Sequence, residues 1–226
     1  MTVNDDGLSQ YIAHVLGERV EPGSRADALD RLAEALRERL AQCGHADVVF
    51  VCTHNSRRSH LGQVWMAVAA KHFGCAGVTT FSAGTEVTAF APNAVDALRR
   101  AGLEVLAPRE VPLRSISNPL YDVFAHGERV ARCHSKKLGD SSLPRDGFIA
   151  VMMCADAAEA CPLVHGASLR IALPYEDPKG ADGTDRETRA YDEACETIAR
   201  EMLRVVSDVV DCGNSRAAFP GSRPSS

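Results

Sequence analysis

The chain has 226 residues, 45% of them hydrophobic, and a formal net charge of -5. That is enough apolar material for one good core with a small appendage, and it excludes the basic field that neutralises a nucleic-acid backbone. Eight cysteines are too sparse for a disulfide scaffold, no charged-then-apolar leader precedes Leu8, and runs such as Val64 to Ala70 and Phe148 to Cys154 fall far short of the roughly 20 residues of a membrane-spanning helix. The expectation is a cytoplasmic protein with reduced thiols, no membrane association and no nucleic-acid partner.

Residues 1–23 are polar and end in Glu-Pro-Gly. From Ser24, read as the cap, a helix carries Leu29, Leu32, Ala33, Leu36 and Leu40 on one stripe and stops near Gly44. Such a stripe covers the core or a second subunit. Asp47 to Cys52 is a short, β-branched apolar run suited to a buried strand, and Ser59 to Phe73 is a helix with Leu61, Val64, Trp65, Val68 and Ala69 inward. A second strand spans Val78 to Ser82, a helix opens at Pro92 and ends before Gly102, and Phe148 to Met153 and Ser168 to Leu173 read as two further strands. Strands alternating with helices imply an α/β fold with a parallel sheet covered on both faces. Glu187 to Val210 closes it as a long helix. The chain thus divides into an N-terminal helical extension (1–45), a main domain (46–210) interrupted by an insertion (108–146), and a disordered tail (211–226) rich in Gly, Pro, Ser and Arg. The insertion, with Tyr121, Phe124, His126, Arg129, Arg132, His134, Lys136 and Lys137, is either a lid or binding element or a surface excursion.

The loop Cys52-Thr53-His54-Asn55-Ser56-Arg57-Arg58-Ser59 joins the first strand to the helix that follows it. Successive N–H groups there can curl into an anion-binding concavity, to which the helix N-terminus adds its positive dipole end. Arg58 offers a planar fork for two oxygens of a tetrahedral anion, which lysine cannot reproduce. The same groups favour thiolate over thiol at Cys52, Ser59 can hydrogen-bond it, and Asn55 tolerates the left-handed backbone that a tight loop often needs.

Val-Phe-Val-Cys52 with Asn55, Arg58 and Ser59, then Phe81-Ser-Ala-Gly-Thr85, then Asp177-Pro178, resemble the low-molecular-weight protein tyrosine phosphatase superfamily over roughly Asp47 to Val105 and Phe148 to Val205. The resemblance implies a three-layer αβα fold with a four-stranded parallel sheet, with Cys52 as nucleophile, Arg58 as oxyanion clamp and Asp177 as general acid. Breaking a bond from oxygen to phosphorus or arsenic needs a proton donor opposite the nucleophile; Asp177 lies after the last strand, and its neighbour Glu176 could substitute. Three residues depart from the family pattern: His54 stands where Gly is common, Arg57 precedes the clamp, and His60 replaces Pro. His54 and Arg57 either line the pocket mouth or point to solvent.

Met152-Met-Cys154-Ala-Asp-Ala-Ala-Glu-Ala-Cys161-Pro162 places Cys154 at the C-terminal edge of the sheet, where Cys52 also lies. The spacing resembles the paired-cysteine element of thioredoxin-coupled arsenate reductases, which share the phosphatase fold; the bland alternative is two small buried cysteines. If Ala155 to Ala160 is helical, Cys154 and Cys161 are separated by a rise of about 10 Å, whereas a disulfide needs Cα atoms within roughly 7 Å, so joining them must unravel that helix. The resemblance implies a relay of Cys52, Cys154 and Cys161 that reduces arsenate, with thioredoxin as external reductant and no bound cofactor. The other readings are a phosphatase that hydrolyses phosphotyrosine or small phosphomonoesters through a phosphocysteine, and an oxyanion-binding protein without turnover. No metal-like spacing links the remaining cysteines.

Overall fold

The computed structural model describes residues 5–18, 23–107, 117–160 and 163–217. Its elements are α1 (Asp5–Leu16), α2 (Ser24–Cys43), β1 (Ala46–Cys52), α3 (Arg58–His72), β2 (Val78–Gly84), α4 (Pro92–Arg100), β3 (Glu104–Leu106), β4 (Tyr121–Ala125), β5 (Glu128–Cys133), β6 (Phe148–Met152), α5 (Ala155–Ala160), β7 (Ala167–Ala172) and α6 (Glu187–Ala217). The main sheet has the order β2-β1-β6-β7 with every pairing parallel, and helices flank it. Burial follows from that order. The two central strands, β1 and β6, are buried almost without interruption, while β2 and β7 at the edges are buried only in part. All four strands run the same way, so Cys52, Gly84 and the turn after Met152 meet at one edge, Cys52 directly beside Gly84.

The N-terminal part differs from the sequence expectation in two ways. First, residues 5–16 form a helix that seats Leu8, Ile12 and Val15 in the core, each at most 2% exposed, and stacks Tyr11 on Trp65 with ring centroids 5.4 Å apart. Burying those three aliphatic side chains is worth at most about 5–8 kcal/mol, which holds a short helix that would not persist alone. Secondly, the N-cap of α2 is Gly23 rather than Ser24, and no side chain caps it. At its far end Gly44 adopts the left-handed conformation (φ 72°) and donates to the Leu40 carbonyl, closing the helix.

The insertion is not a structureless loop. Its β4 and β5 form an antiparallel hairpin that pairs with β3 in a separate three-stranded sheet. His126 and Gly127, with φ of 50° and 74°, make the two-residue turn, and the right-handed twist of the flanking strands favours such positive-φ turns. The hairpin leads into residues 134–138, which bond to the end of β2 through Gly84 N–H to Lys136 O and Leu138 N–H to Gly84 O, both 2.9 Å. Residues 108–116 of the insertion lie outside the described residues. α6 runs seven residues beyond the expected end at Val210, to Ala217; the remainder of the expected tail, 218–226, lies outside the described residues.

Candidate active site

The loop between β1 and α3 is held from outside by its carbonyls. Cys52 O accepts from Thr85 N–H (3.3 Å), Thr53 O from Glu86 N–H (2.8 Å), and Ser56 O from Ala91 N–H (2.9 Å). The Thr88 hydroxyl and the Ser135 hydroxyl both donate to His54 O, at 2.9 and 3.2 Å. These bonds occupy the loop's carbonyls from outside, which leaves its N–H groups available to an anion on the concave side. Gly84 permits the close approach behind the loop, since a Cβ there would lie 2.7 Å from both Asn55 N and Thr53 O.

At the centre, Cys52 is buried with its Sγ 3.1 Å from the Ser59 hydroxyl. Asn55 donates through Nδ2 to Ser59 Oγ (2.8 Å) and accepts on Oδ1 from Lys136 N–H (2.7 Å), with a left-handed φ of 43°. Because Ser59 Oγ accepts from Asn55, its own proton is free to point at Cys52 Sγ. A chain of donors therefore runs from the inserted segment through Asn55 and Ser59 to the sulfur. Lys136 was one of several cations noted in the insertion, but its backbone role behind the loop has no sequence signal.

Sequence reasoning brought Arg58 and Asp177 to this loop for separate tasks. In the structure they are bonded to each other. Arg58 donates from Nη2 to Asp177 Oδ2 (2.8 Å) and from Nη1 to the Tyr175 carbonyl (2.8 Å), while its Nε is buried with no hydrogen-bond partner among the described residues. Arg57 does not point to solvent. It is 8% exposed and grips the same carboxylate, Nε to Oδ1 at 2.8 Å and Nη2 to Oδ2 at 3.3 Å. Asp177 also accepts from Lys179 N–H (3.1 Å), which caps the short 3-10 turn Pro178–Ala181. Burial alone would raise the carboxyl's pKa; the Lys179 N–H, Arg58 and Arg57 outweigh it and hold the group below its ordinary value. Glu176 is exposed, and it is Asp177 that meets both arginines.

The other two departures from the family pattern have different fates. His54 is partly exposed at the rim, with Nε2 3.5 Å from the Glu86 carboxylate, a solvent-screened contact. His60 is fully buried, its Nδ1 2.9 Å from Ser82 Oγ and its ring against Phe90 with centroids 4.2 Å apart. Burial, and then the Lys136 charge, push its pKa well down, so it is neutral.

Cys154 sits just after β6, buried, with its Sγ 3.5 Å from the hydroxyl of Thr53, the residue next to Cys52, and 3.4 Å from Ala157 N–H. The helix Ala155–Ala160 is present as expected. Cys161 lies outside the described residues. Sequence reasoning missed the support beneath the Asp177 turn: Glu201 on α6 accepts from Arg25 (2.8 Å) and from the Tyr175 hydroxyl. Its only signal was a charged residue on the apolar face of a long helix.

A buried thiol, a hydroxyl donor, a guanidinium with an unused Nε and a carboxyl group around one N–H-lined loop can bind a tetrahedral anion, attack its central atom and protonate a leaving oxygen. Residues 47–173 match the family described as low molecular weight phosphotyrosine protein phosphatase. The chain belongs to that family. It is 30% identical over 158 residues to an arsenate reductase of Bacillus licheniformis, spanning 68% of this chain and 92% of that protein. With an arsenate reductase of Bacillus subtilis it shares 28% over 144 residues, 64% of this chain and 82% of the relative. A solved low-molecular-weight protein tyrosine phosphatase from Bacillus subtilis superposes over 73% of this chain and 97% of its own length, with a TM-score of 0.48 and 16% identity. No helix among the described residues is long and apolar enough to cross a membrane.

Proposed function

We propose that this chain is a cytoplasmic arsenate reductase working through a thiol relay. The observation that carries the reading is the second thiol at the anion loop, Cys154, whose Sγ is 3.5 Å from Thr53 Oγ1, one residue from Cys52. Cys52 Sγ attacks arsenic, forming an S–As bond as an As–O bond breaks, and Asp177 supplies the proton to the departing oxygen. Cys154 thiolate then attacks Cys52 Sγ. An S–S bond forms, the S–As bond breaks, and its electron pair passes to arsenic, which leaves as arsenite in the +3 state. Cys161 attacks Cys154 Sγ, freeing Cys52 as thiolate, and an external dithiol, read as thioredoxin, returns the Cys154–Cys161 disulfide to two thiols while itself becoming oxidised. No bound cofactor or metal enters this scheme.

The alternative is a phosphatase in which Cys52 forms a phosphocysteine from a phosphotyrosine or small phosphomonoester and water, activated by Asp177, completes the turnover. Its support is that the loop, Arg58 and Asp177 form a complete set without Cys154. The deciding experiment is arsenate-dependent NADPH consumption with thioredoxin and thioredoxin reductase, run beside hydrolysis of a chromogenic aryl phosphate. Arsenate turnover lost in Cys154→Ser and Cys161→Ser, with aryl phosphate cleavage retained, is the expected outcome. Aryl phosphate cleavage without arsenate-dependent oxidation would make the protein a phosphatase.

A further inference from the structure

The pairing of Asp177 poses an apparent contradiction for acid catalysis. Asp177 must carry a proton to donate it, yet it is gripped by two buried guanidiniums that favour the carboxylate. The pattern of donors resolves it. Arg57 spends both Nε and Nη2 on Asp177. Arg58 spends only Nη2 there, and its Nε, the other tooth of the same fork, is buried and without a partner among the described residues. A planar guanidinium binds a tetrahedral oxyanion best through two adjacent N–H groups, so an anion that takes Nε of Arg58 competes with Asp177 for Nη2. Arg58 Nη1 stays on the Tyr175 carbonyl, which fixes the plane of the fork throughout.

We propose that Arg57 is a positioning residue that holds Asp177 at the loop while Arg58 hands its Nε/Nη2 fork to the incoming oxyanion, so that anion binding and protonation of Asp177 are coupled. The inference rests on Asp177 being the general acid. The Asp177 carboxylate holds the Nη2 tooth of Arg58 that an oxyanion would take. When a dianion arrives, Asp177 loses one of its two cationic partners and gains a negative neighbour, and both changes favour the protonated acid. The proton comes from solvent, which the carboxyl can reach because its side chain is 29% exposed and borders a cleft lined by Glu176, Pro178, Arg186 and Glu193. Arg57 keeps the acid aligned after the exchange.

From the loop and α3 the carboxylate faces Arg57 and Arg58, with Cys52 at the loop centre, His54 paired to Glu86 at the rim and His60 buried behind. The acid's own turn contributes Lys179, through its N–H, together with Glu176 and Asp182. On α6, Tyr191 donates to Asp182 and lies close enough to Arg57 to feel its charge, and Arg186 and Glu193 line the outer cleft. Lys136 and His134 lie behind the loop.

The test uses sulfate, a tetrahedral dianion that does not itself titrate between pH 4 and 8, and the Cys52→Ser protein, which removes the thiol from the proton balance. Calorimetric titrations in buffers of different ionisation enthalpy measure proton uptake directly. Sulfate binding is expected to take up close to one proton per site in the pH interval between the free and bound values of Asp177. There the affinity falls by up to about tenfold per pH unit as pH rises. Asp177→Asn, added to Cys52→Ser, should abolish the uptake. Uptake that persists in that double variant belongs to another group and overturns the proposal, as does sulfate binding without uptake or no sulfate binding at all.

The role of Arg57 is read separately on the enzyme with Cys52 intact. Arg57→Gln should move the alkaline limb of kcat/KM for aryl phosphate to higher pH and lower kcat, whereas Arg57→Lys, which keeps the charge but not the fork, should restore the limb while kcat stays low. A merely structural role would lower both variants' activity and leave the limb in place, and that result overturns the assignment. The underlying acid reading fails independently if Asp177→Asn cleaves aryl phosphate as fast as the parent.

Discussion

Replacing Asn55 by Ala probes the donor chain that supports the loop, and its cost can be worked from the structure. The substitution leaves Lys136 N–H buried without the acceptor it holds at 2.7 Å, worth about 1–3 kcal/mol. It removes the 2.8 Å bond to Ser59 Oγ, about 0.5–1.5 kcal/mol. It also places a Cβ-bearing residue without a local hydrogen-bonding side chain at φ 43°, about 1–2 kcal/mol. The sum, about 2.5–6.5 kcal/mol, is a large part of the roughly 5–15 kcal/mol that typically holds a domain together. Asn55→Gly loses the same two bonds but tolerates the backbone, so it should be more stable than Asn55→Ala by about 1 kcal/mol, after allowance for the freedom glycine adds to the unfolded chain. Urea unfolding of the three proteins measures both differences. Alkylation of Cys52 by iodoacetamide should slow in both variants, since Ser59 is no longer oriented toward the sulfur. An alanine variant within 1 kcal/mol of the parent, or one at least as stable as the glycine variant, would refute the reasoning.

Gly84→Ala should loosen the same loop from behind, because its Cβ would meet backbone atoms of Glu86, Asn55 and Thr53 at 2.6–2.7 Å and backbone cannot step aside cheaply. A loss of about 1–3 kcal/mol together with weaker inhibition by phosphate is expected, and unchanged inhibition would show that the loop absorbs the methyl. Asp177→Asn should destabilise the protein at pH 7 by about 1–3 kcal/mol, because Arg57 and Arg58 stay buried with weaker partners; the partial exposure of Asp177 keeps the figure low. The folded pKa of Asp177 is depressed, so its stabilisation is fully present above the unfolded value near about 3.9 and is lost as pH falls through the folded value. The gap between variant and parent should therefore close only below about pH 4, and a gap that stays constant in urea titrations down to pH 3 would contradict the pairing. Oxidation that joins Cys154 to Cys161 should cost the helical signal of the six residues Ala155–Ala160, since their helical rise of about 10 Å exceeds the span of a disulfide. An unchanged circular dichroism spectrum with that bond mapped would rule this out.

The strand-loop-helix unit carrying Cys52 and Arg58 was legible in the sequence because its information is local. A β-branched apolar run, a loop that needs left-handed backbone at Asn55 and a helix start are written within one short segment, and the continuous burial of β1 and β6 shows directly as unbroken apolar residues. The long insertion hid its hairpin because His126-Gly127 is not one of the common turn pairs and the flanking strands are half exposed. α1 was hidden because Leu8, Ile12 and Val15 give a stripe too short to stand out from a polar terminus; it becomes a helix by packing on α6 and Trp65. No local pattern distinguishes an arginine that faces solvent from one that faces a carboxylate 120 residues away. That Arg57 turns inward, that Arg58 shares Asp177 with it, and that Lys136 lends its N–H to Asn55 depend on which strand ends the parallel sheet brings to one edge. Sequence by itself determined the chemistry available at that edge: a thiol, a guanidinium, an N–H-lined loop and a carboxyl group. Only the tertiary structure decided which of these groups are bonded to one another, because hydrogen-bond partners and desolvation are set by residues that meet only once the sheet has formed.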